Sequence, residues 1–340
     1  MFVFALAFFP ALAGAEPSAT SLDSVCDRYP PFLPVFRFGT GSAPVAVPTV
    51  ADDGSVYIGT SEGYLHALGA DGSYRWGYTL KGPATGRPAL GAAGAILVPT
   101  ARRIYAIRPD GSLLWVFQSP IRVLGDLIRD DLGRFHFASD DGRVFALSGR
   151  GALVAHVPGR VPLAVLPVAL PGGALAAARQ DGSVLLVRAG KSLRFELGGV
   201  ANGLFACPKR DLCAIVAGKL QGLGAGTQNF QVPALRGAAT EERLALISSE
   251  QQLELYDASA EHLATVALPD AASAAPAVDA LGRVFVPLKR GALLALSRSG
   301  APLGCMQVGH SPLGSPVLDA ARRRVLVTAR EGVLAAFEVP

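Results

Sequence analysis

A pattern of four short apolar segments over residues 45–80 is the feature that most constrains the fold. The stretch reads VAVPTVADDGSVYIGTSEGYLHALGADGSYRWGYTL. Its turns are built on Asp52-Asp53-Gly54, Glu62-Gly63 and Asp71-Gly72, and Asp and Gly tolerate left-handed backbone angles. The segments between the turns are about five residues long and rich in β-branched and aromatic side chains. This alternation of short apolar segments and Asp- or Gly-containing turns predicts an antiparallel meander of strands rather than helices.

The same unit recurs to the C-terminus about every 38 residues, close to the ~40–45 of a four-stranded propeller blade. A single blade cannot bury both of its faces, so blades must stack around an axis. The sequence therefore predicts an all-β fold, an eight-bladed β-propeller of four-stranded antiparallel blades. The first strands of these blades are centred at Pro48, Pro88, Leu127, Pro167, Phe205, Ala238, Pro276 and Pro316.

The two ends of the repeat array predict how the ring closes. Five of the eight first strands carry proline near the middle, which places them at a sheet edge because proline cannot donate a ladder hydrogen bond. The final unit, residues 313–339, has three strand segments only. Residues 34–38 form a lone strand that is similar to the fourth strands Arg75–Tyr78 and Leu114–Phe117. We predict that this N-terminal strand completes the last blade and removes the exposed edges.

Two units carry a motif that resembles a known family. Residues 65–76 (LHALGADGSYRW) and 104–115 (IYAIRPDGSLLW) resemble the repeat of PQQ-like, quinoprotein-type β-propellers, whose blades end in an Ala…Asp-Gly…Trp pattern. In size and blade number the chain is also similar to the eight-bladed propeller that assists outer-membrane protein assembly. The resemblance covers about residues 33–340, although Trp is absent from the corresponding place in blades three to eight.

The resemblance also raises the possibility of a quinone cofactor. Quinoprotein dehydrogenases hold calcium over the quinone with a set of carboxylates and asparagines, and they carry adjacent cysteines. This chain has no adjacent cysteines, and its only asparagines are Asn202 and Asn229. We therefore expect no cofactor.

The N-terminal residues differ from the repeats. Residues 1–15 are apolar and end in Ala13-Gly14-Ala15, the small-residue pattern of a signal-peptide cleavage site. They lack the positive charge that such signals carry, so an upstream start or a loosely packed N-terminal extension stays open. We predict a signal peptide over residues 1–15, a linker over 16–32 and the propeller over 33–340. This division predicts a periplasmic or secreted protein of a bacterial envelope.

The composition suits a stack of buried sheets. Half of the residues are hydrophobic and 17% are charged, with a mean hydropathy of +0.36. Residues 161–178 are uncharged throughout, but they contain Pro162, Pro167 and Pro171 and cannot cross a membrane as one helix. We predict no transmembrane span and assign this stretch to the first two strands of the fourth blade.

The four cysteines suggest two disulfides, because the count is even and the chain is predicted to be exported. Cys207 and Cys213 bracket the hairpin between the first two strands of blade five, where cysteines can reach bridging distance. Cys26 precedes the closing strand, and Cys305 lies in the fourth strand of blade seven. A Cys26–Cys305 disulfide would therefore link the segment before the closing strand to blade seven and stabilise the closure of the ring. Zinc is the alternative for all four, but the chain lacks a Cys-x-x-Cys pair and a histidine cluster.

The charged residues point to one face of the propeller. Loops between blades share a face with the loops that join strands two and three, and binding sites of PQQ-like propellers tend to lie there. The candidate binding residues on this face are Lys81, Arg87, Arg102, Arg103, Arg122, Arg179, Lys289, Arg290, His310 and Arg330. Their basic excess predicts an anionic ligand or an acidic peptide. The alternative is that buried strands leave charged residues no other place than loops.

Charge and motifs argue against several other functions. The net charge is +4, and no run of five or six basic residues supports nucleic-acid binding. Gly190-Lys191-Ser192 echoes a phosphate-binding loop, but Leu185 stands where the upstream glycine is required. The five histidines are scattered along the chain, without the spacing of a metal site. We predict no catalytic and no metal-binding residues.

The sequence therefore favours a non-enzymatic, exported, monomeric scaffold whose rigid blades present loops to a protein or peptide partner. Two alternatives stay open. One is a small-ligand binder or a hydrolase or lyase that uses the central channel, which convergent carboxylates or histidines at the channel mouth would favour. The other is a detached sensor domain of a signalling system.

Overall fold

The computed structural model describes residues 25–159, 161–170, 173–188, 191–207, 210–223, 229–240, 242–259 and 261–339. The predicted signal peptide, residues 1–15, and residues 16–24 of the predicted linker lie outside the described residues.

Eight four-stranded antiparallel sheets form the blades of a β-propeller. In seven of these sheets the four strands follow one another in the chain. The first strand of the chain, β1 (Pro34–Gly39), belongs to blade 8. Blades 1 to 4 consist of β2 (Thr49–Val50), β3 (Val56–Gly59), β4 (Tyr64–Leu68) and β5 (Tyr74–Thr79); β6 (Ala89–Leu90), β7 (Ile96–Pro99), β8 (Arg103–Ile107) and β9 (Leu113–Gln118); β10 (Val123–Arg129), β11 (Phe135–Ser139), β12 (Val144–Leu147) and β13 (Leu153–Val157); β14 (Val168–Leu170), β15 (Ala174–Ala178), β16 (Ser183–Arg188) and β17 (Lys191–Glu196).

The second half of the ring repeats the same order, and a 3₁₀ turn at Ala92–Gly94 is the helical element of the described residues. Blades 5 to 8 consist of β18 (Ala201–Cys207), β19 (Arg210–Val216), β20 (Lys219–Leu223) and β21 (Asn229–Pro233); β22 (Arg236–Ala239), β23 (Arg243–Ser249), β24 (Gln252–Asp257) and β25 (His262–Ala267); β26 (Ala277–Val278), β27 (Val284–Pro287), β28 (Ala292–Leu296) and β29 (Pro302–Gln307); β30 (Val317–Asp319), β31 (Arg324–Ala329) and β32 (Val333–Glu338), with β1. The predicted eight-bladed, all-β architecture is confirmed.

The core lies between neighbouring blades, because the middle strands are covered on both faces. All four residues of β3 are buried. Within β3, the successive residues Tyr57 and Ile58 point to opposite faces of the sheet, as adjacent residues of a strand must. Tyr57 packs in a cluster with Ile96 of blade 2, and Ile58 packs in a cluster with Leu334 of blade 8. Such strands read as continuous apolar runs, which explains the hydropathy of the chain.

Proline divides the innermost strand in five blades. In blade 1 an isolated bridge joins Pro44 to Thr60, and the continuous ladder starts again at Thr49, directly after Pro48. The same bridge-gap-strand order surrounds Pro88, Pro167, Pro276 and Pro316. The prolines therefore lie in the gap of the first strand, where no ladder hydrogen bond is needed from them. In the three blades without this proline the first strand is continuous and four to seven residues long.

The ring closes as predicted, through β1. It pairs antiparallel with β32, with Phe38 opposite Leu334. Phe36 of β1 lies against Gly72, in the turn between the third and fourth strands of blade 1, so closely that a Cβ on Gly72 would stand 2.3 Å from its ring. Trp76 covers Gly111 of blade 2 in the same way. Phe36 thus makes between blades 8 and 1 the contact that tryptophan makes farther along the ring.

Residues 25–33, which we call the N-terminal strap, pack against blades 7 and 8. The Pro30 carbonyl accepts a hydrogen bond of 2.9 Å from the Cys305 N–H, and the Leu33 carbonyl accepts one of 2.9 Å from the Glu338 N–H. Phe32 is 4% exposed and belongs to the core cluster of these two blades. Hydrogen bonds at the strand edges and the buried Phe32 ring therefore hold residues 25–32 of the predicted linker, 16–32, to the propeller.

We expect Phe36→Ala to lower the free energy of unfolding by about 1–3 kcal/mol, less than a fully buried phenylalanine, because its ring is half-buried. Phe36→Trp should retain most of the stability, since tryptophan occupies the equivalent position in blades 1 and 2. Urea unfolding followed by tryptophan fluorescence measures both. The exposed neighbour Arg37→Ala is the control, and an equal loss in that variant would contradict the assigned role of Phe36.

A buried carboxylate locks the turn between β10 and β11. Asp130 Oδ2 accepts hydrogen bonds of 2.7 Å from Arg134 Nε and 2.9 Å from His136 Nε2. Its Oδ1 accepts the backbone N–H groups of Leu132 and Arg134. Burial raises the pKa of Asp130, but the hydrogen bonds from His136 and Arg134 outweigh it and lower the pKa from 3.8 to about 2. The turn is therefore held best when this carboxyl is ionised.

The stability that Asp130 contributes should depend on pH. Its folded pKa of about 2 lies below the unfolded value of 3.8, so the contribution is complete above pH 4 and is lost as the pH falls from about 4 to 2. The shift corresponds to about 2 kcal/mol. We expect Asp130→Asn to be less stable than the wild type at pH 7, with a difference that shrinks towards pH 2 in urea unfolding. The neighbouring, exposed Asp131→Asn should track the wild type at both pH values; a constant gap for Asp130→Asn would refute the coupling.

Candidate functional site

The connections between blades and the turns between strands two and three lie on one face of the ring, which we call the loop face. In blade 1 the Leu80 N–H, just after β5, donates a 2.7 Å hydrogen bond to the Gly63 carbonyl of the turn. Ser119 bonds to Arg102 in blade 2 and Val308 to Gly291 in blade 7 in the same way. These bonds tie each inter-blade connection to the blade before it. The other two turns of each blade form the opposite face, the turn face.

Acidic partners neutralise three of the predicted binding residues. Arg87 forms an ion pair with Asp126, its Nε 3.0 Å from Oδ2. Lys289 Nζ donates to Glu250 Oε2 at 2.9 Å and lowers the pKa of that carboxyl. Arg290 uses its backbone N–H, which lies 2.8 Å from Asp270 Oδ2, while its guanidinium stays 3.9 Å from the same carboxylate. The positive charge of blade 7 is therefore largely compensated at the loop face.

Two other predicted binding residues, Arg179 and His310, form hydrogen bonds within the fold. Arg179 is 7% exposed, and its Nη2 donates to the Gly142 carbonyl of the neighbouring blade at 3.2 Å. The sequence placed Arg179 on an accessible surface, but the adjacent blade covers it. His310 donates its backbone N–H to both carboxylate oxygens of Glu331, at 3.1 and 3.0 Å. Arg330, next to that acid, is exposed.

The remaining four predicted cations surround blade 2. The Arg102 guanidinium donates to the Pro120 carbonyl at 2.7 Å, and Val123 donates its N–H to Ala101, so Arg102 lies beside the connection that carries Arg122. The Lys81 N–H donates to Tyr105 Oη, two residues beyond Arg103. We call Lys81, Arg102, Arg103 and Arg122 the basic arc. Among the described residues, none of their side chains forms an ion pair with an acid.

A cleft of 420 Å³ opens near the axis at blades 5 to 7. Asn202 and Arg236 stand at the starts of their innermost strands, Glu250 comes from the turn between β23 and β24, and Phe205 and Leu235 supply apolar walls. Arg236 Nη1 donates to the Ala272 carbonyl at 3.3 Å. No motif in the sequence marks this group. Its members come from blades 5 and 6 and the start of blade 7, which only the ring brings together.

Some of these contacts have a signal in the sequence. Arg87 and Asp126 are 39 residues apart, and so are Glu250 and Lys289. This separation is one blade repeat, so the partners occupy adjacent blades at nearly equivalent positions. A cation and an acid one repeat apart on the loop face can therefore be expected to form an ion pair. By this rule the sequence identifies Arg87 and Lys289 as paired residues rather than free binding residues.

The described residues contain no group of three or more His, Cys, Asp or Glu side chains that could hold a metal ion. No helix in the part of the chain that the structure describes has the length and apolar character needed to cross a membrane. On the loop face, the arrangement offers charge and hydrogen-bond donors for recognition.

Two disulfides cross-link the chain. Cys26 of the N-terminal strap is bonded to Cys305 of β29, with Cα atoms 5.1 Å apart. Cys207 and Cys213 are bonded across the hairpin of β18 and β19, with Cα atoms 5.4 Å apart. The first bridge closes a loop of 279 residues and the second a loop of six. The long one ties the strap to blade 7 beside the closure.

Comparison with known proteins agrees with this geometry. Residues 35–156 match the sequence profile of a family described as outer membrane protein assembly factor BamB. The crystal structure of BamB from Moraxella catarrhalis is similar with a TM-score of 0.73 and 15% identity, over 90% of this chain and 99% of that one. Sqt1 from Saccharomyces cerevisiae is similar with a TM-score of 0.74 and 12% identity, over 91% of this chain and all of the other. No curated protein sequence matches the chain.

The chain is thus an eight-bladed β-propeller. Over residues 35–156 its repeat matches the PQQ-like type, which confirms the resemblance seen in the sequence. The computationally designed Ika8 protein, 13% identical, reaches a TM-score of 0.72 over 90% of this chain and all of its own, so identities of this size establish the fold alone.

We expect the two disulfides to differ in their effect on stability. In the chain-entropy account a cross-link stabilises more when it closes a longer loop. Replacing Cys26 and Cys305 by Ala should lower the free energy of unfolding by about 5–6 kcal/mol, and replacing Cys207 and Cys213 by about 2 kcal/mol. Urea unfolding without reductant measures both, with intact mass before and after reduction as the check that each bridge is present. A larger loss from the hairpin pair would contradict the account.

Proposed function

We propose that this protein is a non-enzymatic interaction scaffold of the bacterial envelope, exported to the periplasm or the cell surface. It binds an extended, acidic segment of a protein partner on the loop face, at the basic arc. The family profile named for an outer membrane assembly factor supports an envelope role. Two disulfides are compatible with an oxidising compartment.

The observation that carries this proposal is the uneven compensation of charge on the loop face. Around blade 7 the cations meet Glu250 and Asp270, whereas the described acids leave the basic arc at blade 2 unpaired. Lys81, Arg102 and Arg122 are exposed, and Arg103 is partly so. Clustered cations that no described acid pairs with attract an acidic partner and speed its association.

The geometry of blade 2 favours an extended partner. The arc follows the rim of blade 2. Lys81 lies on the connection before this blade, Arg102 and Arg103 lie at its turn between β7 and β8, and Arg122 lies on the connection after it. The backbone bonds of Ser119 and Val123 tie the following connection to the turn, and the bond from the Lys81 N–H to Tyr105 ties the preceding connection to β8. A rigid row of cations suits a segment whose carboxylates are spaced along a strand-like backbone. Loops held by a rigid framework are the usual carriers of recognition.

We expect Arg102→Glu combined with Arg103→Glu to weaken binding of a fluorescein-labelled acidic peptide by about tenfold or more. The peptide is a ten-residue alternation of Glu and Ser, and fluorescence anisotropy measures binding at low and at physiological salt. Raising the salt should weaken wild-type binding, because the contacts are exposed charges. Capture from a periplasmic extract, with bound proteins identified by mass spectrometry, follows the same variants.

The matched control is Arg108→Glu combined with Arg150→Glu. Both residues are exposed and lie on the turn face, and the double substitution changes the net charge by the same amount. Its affinity for the peptide should stay within a factor of about three of the wild type, since general charge effects are screened over such distances. Equal losses in both variants would show that net charge, and not the arc, determines binding.

A further inference from the structure

An aliphatic cavity of 450 Å³ lies on the turn face between blades 7 and 8. Its walls include Val278, Leu281, Leu318 and Val339. Leu281 is 66% exposed at the tip of the turn between β26 and β27, at the edge of the cavity. The volume falls within the roughly 300–1,000 Å³ of small-molecule sites, which are mostly apolar with a few polar groups.

Internal partners account for the two acids of this cavity. Asp279 Oδ2 accepts a 2.6 Å hydrogen bond from Arg283 Nε. Asp319 Oδ2 lies 3.4 Å from Arg322 Nη1. Each carboxylate is therefore matched by one arginine, and neither leaves negative charge to oppose an anion.

Two further arginines line the cavity, Arg323 and Arg324, and only Arg323 has a guanidinium without a partner among the described residues. Arg324 Nη1 donates to the Ala70 carbonyl of blade 1 at 2.6 Å, so its guanidinium is directed to the neighbouring blade. Arg323 lines the cavity and is exposed. Its guanidinium makes no hydrogen bond or ion pair with any described residue. The cavity thus combines aliphatic walls with one uncompensated positive charge.

The backbone of Arg323 marks it as unusual. Its φ is +52°, in the left-handed region that residues other than glycine, asparagine and aspartate rarely adopt. The corresponding turns of blades 3 and 7 are one residue shorter, and there the left-handed residue directly before the following arginine is Gly133 or Gly282. The Arg323 carbonyl accepts a 2.8 Å hydrogen bond from the Val339 N–H, which holds the conformation. Strained positions of this kind collect at binding sites.

We infer that this cavity binds an aliphatic monocarboxylate of the fatty-acid class. The hydrocarbon chain lies on Val278, Leu281 and Leu318, and the carboxylate forms a charge-assisted hydrogen bond with the Arg323 guanidinium. The apolar part of the wall is aliphatic and suits a flexible alkyl chain, and the single free guanidinium suits one carboxylate. This inference does not depend on the proposed function, since the site lies on the opposite face of the ring.

Isothermal titration with decanoate below its micelle-forming concentration tests the inference. We expect saturable binding to the wild type, weaker binding of decanol by about tenfold or more, and a similar loss of decanoate affinity in Arg323→Gly. Decanol should bind the wild type and Arg323→Gly equally. Because glycine accepts the left-handed backbone, Arg323→Gly should melt no lower than the wild type, which separates a lost contact from a lost fold.

A second pair of variants tests the aliphatic wall. Leu281→Asp should abolish decanoate binding. Leu132→Asp is the matched control, because residues 130–134 (DDLGR) repeat the pattern of 279–283 (DALGR) and Leu132 is 72% exposed at the equivalent tip. It should bind decanoate as the wild type does. Absence of saturable decanoate binding, unchanged affinity in Arg323→Gly, or equal losses in the two aspartate variants would each overturn the inference.

Discussion

The closure of the ring by β1 is the contact on which the rest of the structure depends. Every blade has two apolar faces and can bury them only against two neighbours. The sheet of blade 8 gains its outer strand from residues 34–39, and Phe36 then covers Gly72 of blade 1. Without this strand, blade 8 would expose an unpaired strand edge and the seam between blades 8 and 1 would lose its outer contact. The long disulfide and the N-terminal strap secure the same region from the side of blade 7.

The architecture could be predicted from the sequence because its determinants are local. Asp-Gly turns such as Asp71-Gly72, short β-branched runs and their period lie within one unit, and eight repetitions reveal the ring. The site could be predicted only in part, because burial and charge compensation are properties of neighbouring blades. Arg179 looks like a loop cation in the sequence, yet blade 3 covers it. The unusual backbone of Arg323 has no sequence signature except the absence of glycine.

The two faces of the ring achieve order in different ways. On the loop face, backbone hydrogen bonds tie each connection to a turn, and charged side chains such as Arg87 and Asp126 pair across blades. On the turn face, a carboxylate in several of the turns accepts backbone N–H groups of the same turn, as Asp130 and Asp279 do. Exposed ion pairs contribute little to stability, so the loop face can change its charges without harm to the fold. The buried Asp130 cannot be replaced so freely.

Departures of the chain from its own repeat are the best guide to function in such a fold. Proteins only 12–15% identical to this one share its architecture, so the residues that make blades carry no information on a partner or ligand. Information resides where one unit breaks the rule that the others obey. Ala155 occupies the register position of Trp76 and Trp115, and Arg323 occupies a position of glycine. The repeat by itself does not account for either, and for Arg323 the adjoining cavity supplies a physical reason for an arginine where glycine would be free of strain.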